Sequence, residues 1–202
     1  MVSPEYIRGL TDNCAWYESN GADIHGYLGV GMLYYTLPYI LRGHKCVCLG
    51  SGGGFVPRLM VEAQRALVKQ GLLDKVDVTL IDAGDGGTSH EHPKWQADLW
   101  EKYPEIRLIE GLTDDVADQV EDIRYLHVDA DHSYEHVITD LRNYGSKMVG
   151  MPWAITVHDT FQRSPSIGAW RAVKDYALER EVGYVNFSIA CGTALIMQQV
   201  GA

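Results

Sequence analysis

The stretch that most restricts what this chain can fold into is Cys46-Val47-Cys48-Leu49-Gly50-Ser51-Gly52-Gly53-Gly54-Phe55, followed by Val56 to Lys69. An apolar run that breaks at a glycine cluster and resumes with apolar residues at helical spacing reads as buried strand, tight turn and helix. A turn without side chains lets a ligand approach backbone N–H groups, and the helix N-terminus behind it favours polar or anionic groups. A nucleotide-like cofactor is the expected occupant. The spacing departs from the dinucleotide fingerprint, because Phe55 stands where G-x-G-x-x-G has its third glycine. Many α/β loops carry glycine for turn geometry alone, so a second element has to support the first.

That element is Val76-Asp77-Val78-Thr79-Leu80-Ile81-Asp82, a β-branched run ending in an acid. In a βαβ unit the acid closing the second strand sits beside the cofactor ribose, where a carboxylate accepts hydrogen bonds from the hydroxyls. Asp82 is the expected ribose ligand, with Ala83 next to it. The alternative is an Asp that only opens the turn Ala83-Gly84-Asp85-Gly86-Gly87.

Further strands are expected at Ile106–Glu110, Ile123–Asp129 and Trp153–Asp159, with two closing strands at Tyr184–Ile189 and Thr193–Gln198. Helices are expected near Pro93–Lys102, Tyr134–Met148 and Ile167–Arg180. Thr113-Asp114-Asp115 has the pattern of an N-cap with first-turn acids opening a short helix. This rhythm implies an α/β fold: a Rossmann-like, doubly wound, mostly parallel seven-stranded sheet with helices on both faces. Ligands in such sheets bind outside the carboxyl ends of the strands, so Gly50, Asp82, Gly111, Asp129 and Asp159 should line one crevice. Ahead of the first strand, Tyr27 to Leu41 reads as a helix bent near Pro38. Residues 1–44 are expected to form a helical cap on a single domain spanning 1–202, with His25 and Tyr27 as positions to watch.

With 202 residues and 46% apolar content, the chain has enough material for one sizeable core. A net charge of −10, from 17 Lys+Arg against 27 Asp+Glu, argues against a nucleic-acid partner. The four cysteines show no C-x-x-C spacing and read as core thiols of a cytoplasmic protein. No apolar run reaches membrane-spanning length, and no signal peptide is evident. Exposed apolar residues in the N-terminal segment would be compatible with a homodimer.

The densest polar cluster at a strand end is Asp129-Ala130-Asp131-His132-Ser133-Tyr134, and His158-Asp159 is its counterpart one strand later. Two carboxylates and an imidazole converging from adjacent strands can hold a hard divalent cation with positions open for substrate. They can also work without metal. His132, on the first turn after the strand, is placed to take a proton from a substrate hydroxyl near neutral pH.

The series Leu49-Gly50-Ser51-Gly52, Ile81-Asp82, Val128-Asp129-Ala130-Asp131-His132-Ser133-Tyr134-Glu135, Asp140-Leu141 and Val157-His158-Asp159 resembles the class I S-adenosylmethionine-dependent methyltransferases. Within them it looks most like the small-molecule branch of catechol-type and macrolide sugar O-methyltransferases and cephalosporin-hydroxylase-like proteins. The resemblance runs over roughly residues 27–198. It implies that Gly50, Ser51 and Gly52 contact the methionine part of S-adenosylmethionine, Asp82 the ribose, and Gly111, Leu112 and Thr113 the adenine. It matches Asp129 and Asp159 to metal ligands, for magnesium or manganese, and His132 to a catalytic base; Asp129 borders both the chemistry and the cofactor. Two positions depart from the pattern. Cys48 stands where the first strand usually carries an acid, and His158 stands where the macrolide enzymes carry one, which shifts preference toward softer ions. The expected activity is methyl transfer to a hydroxyl of a small metabolite. A nicotinamide-dependent oxidoreductase and a non-catalytic cofactor-binding protein are the alternatives.

Overall fold

A computed structural model describes residues 3–11, 14, 17–23, 27–51, 53–83, 100–161 and 167–198. Seven strands form one sheet: β1 (Cys46–Leu49), β2 (Val78–Asp82), β3 (Ile106–Glu110), β4 (Tyr125–Val128), β5 (Ala154–His158), β6 (Gly183–Phe187) and β7 (Thr193–Met197). Their order is β3-β2-β1-β4-β5-β7-β6. The first five run parallel, and β7 pairs antiparallel with both β5 and β6. The chain therefore reverses its direction of travel across the sheet between β1 and β4, the switch point at which such sheets open a crevice. Every residue of β1 and β4 is buried, as expected of central parallel strands covered on both faces.

Alternation along the strands divides the core. Cys46, Cys48, Tyr125, Ala154 and Leu195 face a layer that includes α1 (Pro4–Thr11), α2 (Gly31–Ile40) and α3 (Phe55–Lys69). Val47, Leu49, Leu126, Val128, Ile155 and Val157 face α4 (Tyr134–Gly145) and α5 (Ala169–Arg180). The doubly wound architecture is as the sequence implies. No helix of the described residues is long and apolar enough to cross a membrane. Cys14, Cys46 and Cys48 are buried, and Cys191 is half-buried.

Several boundaries shift for identifiable reasons. α2 begins at Gly31 rather than Tyr27, because Gly29 is left-handed (φ +55) and a Cβ there would meet the Asn20 carbonyl at 2.1 Å. Tyr27 instead pairs with Asp23 in an isolated bridge. The helix expected to open at Thr113 does not form there: residues 113–115 make a turn, and only a 3-10 turn at Ala117–Gln119 follows. α4 stops at Gly145, and Ile123 leaves β4 to bridge Met148. His25 and most of the helix expected at 93–102 lie outside the described residues; 100–102 are helical.

Candidate active site

The carboxyl ends of β1 to β4 open onto a cleft of about 380 Å³. Gly50, Ser51, Asp82, Ala83, Gly111, Leu112, Thr113 and Asp129 all line it, so eight residues singled out from the sequence meet in one place. Gly52 lies outside the described residues. Ile81, Asp114, Asp115, Ala130, Asp131 and His136 complete the wall, none of them assigned a ligand from the sequence.

The glycine turn works through backbone proximity. Gly50 is left-handed (φ +67), and a Cβ on it would stand 2.4 Å from the Asp129 carbonyl oxygen and 2.7 Å from the Ala130 Cα. The end of β1 thus lies directly against the end of β4, which only glycine allows. The Ser51 hydroxyl is buried without a hydrogen-bond partner among the described residues while its side chain borders the cleft. A buried hydroxyl in that state suits a polar group of a bound ligand. Cys48, in the place of the missing acid, is wholly buried, and its thiol donates to the Gly50 carbonyl at 3.0 Å. Burial holds that thiol well above its ordinary pKa, so it brings no charge to the cleft.

Beside the cleft, β4 and β5 bring their terminal side chains together. His158 Nδ1 lies 3.1 Å from Asp129 Oδ1 and 3.5 Å from Asp159 Oδ1, and its Nε2 faces the Ser19 carbonyl at 3.4 Å. His132 spans both acids, with Nδ1 2.9 Å from Asp159 Oδ2 and Nε2 3.4 Å from Asp129 Oδ1. Asp159 reaches this position from a left-handed backbone (φ +58), a strained conformation that turns the chain back toward β4. Burial disfavours charge on all four groups, but the opposite charges outweigh it. His158 holds Asp129 well below the usual carboxylate range, and His132 and His158 lower Asp159. In turn the two acids lift His132 to about 10 and His158 well above its ordinary value. Two cations therefore face two anions near neutral pH.

One ligand atom each from Asp129, His158 and Asp159 lie within 4.8 Å of one another. Neighbouring ligands of an octahedral ion at about 2.1 Å are roughly 3.0 Å apart, so the 3.1 and 3.5 Å separations fit a divalent cation once His158 gives up its proton. The Ser19 carbonyl, by accepting from Nε2–H, would leave Nδ1 as the coordinating nitrogen.

A third imidazole went unassigned in the sequence. His127, wholly buried in β4, stacks edge-on to Tyr34 and meets the Thr156 hydroxyl through Nδ1 at 2.8 Å. Its Nε2 is 3.7 Å from Asp129 Oδ2. The available signal was the two-residue alternation Tyr125, His127, Asp129, which puts all three on one face of the strand.

Comparison with known proteins identifies the family and the fold. A family profile described as a methyltransferase domain matches residues 47–160, more than half of the chain, and the chain belongs to that family. No curated protein matches in sequence. Among solved structures, the S-adenosylhomocysteine-bound methyltransferase PaMTH1 of Podospora anserina is 13% identical over 95% of this chain and 88% of its own, with a TM-score of 0.66. The O-methyltransferase of Bacillus cereus, in complex with S-adenosylhomocysteine, is 13% identical over 97% and 89%, also at 0.66. The O-methyltransferase TomG of Streptomyces achromogenes, solved with S-adenosylmethionine, is 11% identical over 95% and 89%, at 0.63.

Proposed function

We propose that this methyltransferase moves a methyl group from S-adenosylmethionine to a hydroxyl of a small polar metabolite, with a divalent metal, magnesium or manganese, at Asp129, His158 and Asp159. The observation that carries the proposal is the convergence of Gly50, Ser51, Asp82 and Gly111–Thr113 in one cleft whose remaining wall, Asp129, belongs to the imidazole–carboxylate cluster. Asp82 would accept from the ribose hydroxyls, and the Ser51 hydroxyl would take up a polar group of the methionine end. With Cys48 uncharged, Asp129, where β4 meets β1, would be the cleft carboxylate that takes the cofactor's ammonium.

The sulfonium donor is already activated, so the protein's task is to align nucleophile, methyl carbon and sulfur and to help remove a proton. A bound metal would supply Lewis-acid polarisation of the acceptor oxygen. His132 is the proposed base. Beside two ionised acids it is a cation near neutrality and can donate but not accept. It becomes a base when the charge of Asp129 and Asp159 is engaged by another cation, which lowers its pKa toward the ordinary range. Nicotinamide chemistry is set aside by the methyltransferase match and by Phe55 in the glycine turn.

Isothermal titration with S-adenosylhomocysteine and with NAD, followed by a labelled methyl-transfer assay on a fractionated metabolite extract with and without manganese, tests this. Binding of the first ligand only, and metal-stimulated labelling of an alkali-stable product, is expected. Tight NAD binding with no affinity for S-adenosylhomocysteine would end the proposal.

A further inference from the structure

Asp140 is a buried acid that neither the cleft nor the imidazole cluster uses. It lies inside α4, one helical turn beyond His136, with no exposed surface, and among the described residues neither carboxyl oxygen has a hydrogen-bond partner in good geometry. A carboxylate in that state is costly, whereas a neutral carboxyl group is tolerated. Its surroundings belong to the turn after β3. The Thr113 side chain is close enough to influence it without an aligned hydrogen bond, and Asp114 is close enough to repel its charge. The Tyr144 hydroxyl, one turn further along α4, donates to the Thr113 carbonyl at 2.6 Å. Asn143, between them, reaches Asp114 at 3.5 Å. One face of α4 thus supports the turn, and Thr113, Asp114 and His136 from this neighbourhood line the cleft.

We propose that Asp140 is a positioning residue for the cofactor: as a neutral acid it lets the Gly111–Asp115 turn settle against α4 in its binding position, and its ionisation loosens that turn and weakens cofactor binding. This rests on the assignment of the cleft to S-adenosylmethionine. The acid itself does not touch the ligand. Burial is the main force on its proton, raising it to about 7 against the downward pull of Thr113, with Asp114 and Asp131 adding to the rise and His136 opposing it. The groups that face it are therefore Asp114 from the turn after β3, Asp131 from the turn ahead of α4, and His136 and the Tyr144 phenol from its own helix. The sign follows from linkage. The folded protein holds the Asp140 proton more tightly than the unfolded chain does, so this contribution to stability is complete below pH ~4 and is lost as pH rises to about 7. Cofactor affinity, which needs the neutral acid, should fall as pH passes that upper value.

The test is calorimetric titration of the full chain with S-adenosylhomocysteine between pH 6.0 and 8.5, in buffers of differing ionisation enthalpy. The dissociation constant should rise by at least about fivefold across the range, the lower end of ordinary coupling between sites. Binding near pH 8 should take up part of a proton. Asp140→Asn, which mimics the neutral acid, should bind with the affinity of the acidic wild type at every pH and take up no proton at that position. Affinity that does not vary with pH in the wild type, or the same slope in the Asn variant, overturns the inference. The proton count on unmodified protein decides the matter even where the variant does not fold. Absence of binding at every pH would instead remove the cofactor assignment, and the inference with it.

Discussion

The cleft and the polar cluster beside it are built by different means. On the β1–β3 side the shape comes from backbone: a left-handed Gly50 pressed against β4, the Ser51 hydroxyl without a partner among the described residues, and a turn at 111–115 resting on α4. On the β4–β5 side it comes from charged side chains that already satisfy one another, two acids against two imidazoles. The first can accept a ligand without rearranging its charges. The second can do so only by exchanging partners or releasing protons. Binding and chemistry should therefore be separable by mutation.

The largest effect is expected from His132→Ala. Turnover should drop by about 10²–10⁴, the usual contribution of one positioned acid–base group, with S-adenosylhomocysteine affinity nearly unchanged. If calorimetry shows affinity falling as far as rate, the cleft and the cluster are one unit. Gly50→Ala should do the reverse. A methyl group 2.4 Å from the Asp129 carbonyl, on a left-handed backbone, forces β1 and β4 apart. Overpacking and strain together imply a loss of cofactor affinity of about 10²-fold. A folded variant with wild-type affinity would show that the close approach is incidental.

Asp82→Ala is expected to weaken S-adenosylhomocysteine by about 1.5 kcal/mol, near tenfold, without altering metal affinity measured by manganese EPR. Unchanged binding would remove Asp82 from the ribose. The smallest effect belongs to stability. The two acids are lowered, so their contribution is present above their unfolded pKa near 4 and lost as pH falls below it. His132 is raised to about 10, so its contribution is complete below about 6.5 and disappears as pH climbs to 10. Tm should fall by a few degrees between pH 6.5 and 10, at about 2–4 °C per kcal/mol for a chain of this size, and less so in His132→Asn. Identical melting profiles for the two proteins would mean the ion pairs contribute nothing.

What the sequence disclosed follows the same division. β1, β3 and the glycine turn were legible because strand and turn leave local patterns in composition, and the strand-end acids followed from the architecture those patterns imply. His127 was not, since a lone imidazole in an apolar strand carries no local mark of what lies across the sheet. Nor was the Ser19 carbonyl against His158, a contact between residues 139 positions apart. The turn at 113–115 has the residues of an N-cap but is held by Tyr144 from a distant helix, so tertiary contact overrides local preference there.

The contact at Ser19 has one more consequence. The short 3-10 segment Tyr17–Asn20 is pinned at its C-terminal end, Ser19 by the Cys191 amide at 3.3 Å and Asn20 by the Tyr34 hydroxyl at 2.9 Å and the Val30 amide at 2.9 Å. All seven strands lie after residue 45, so a protein shortened to begin near residue 30 would retain every strand of the sheet. It would nevertheless lose the carbonyl that steers the His158 ring. Chimaeras that exchange only this leading segment between relatives would thus also exchange the partner of His158, and, with the proposed metal at that histidine, the donor of the first twenty residues would help determine which ion the recipient prefers.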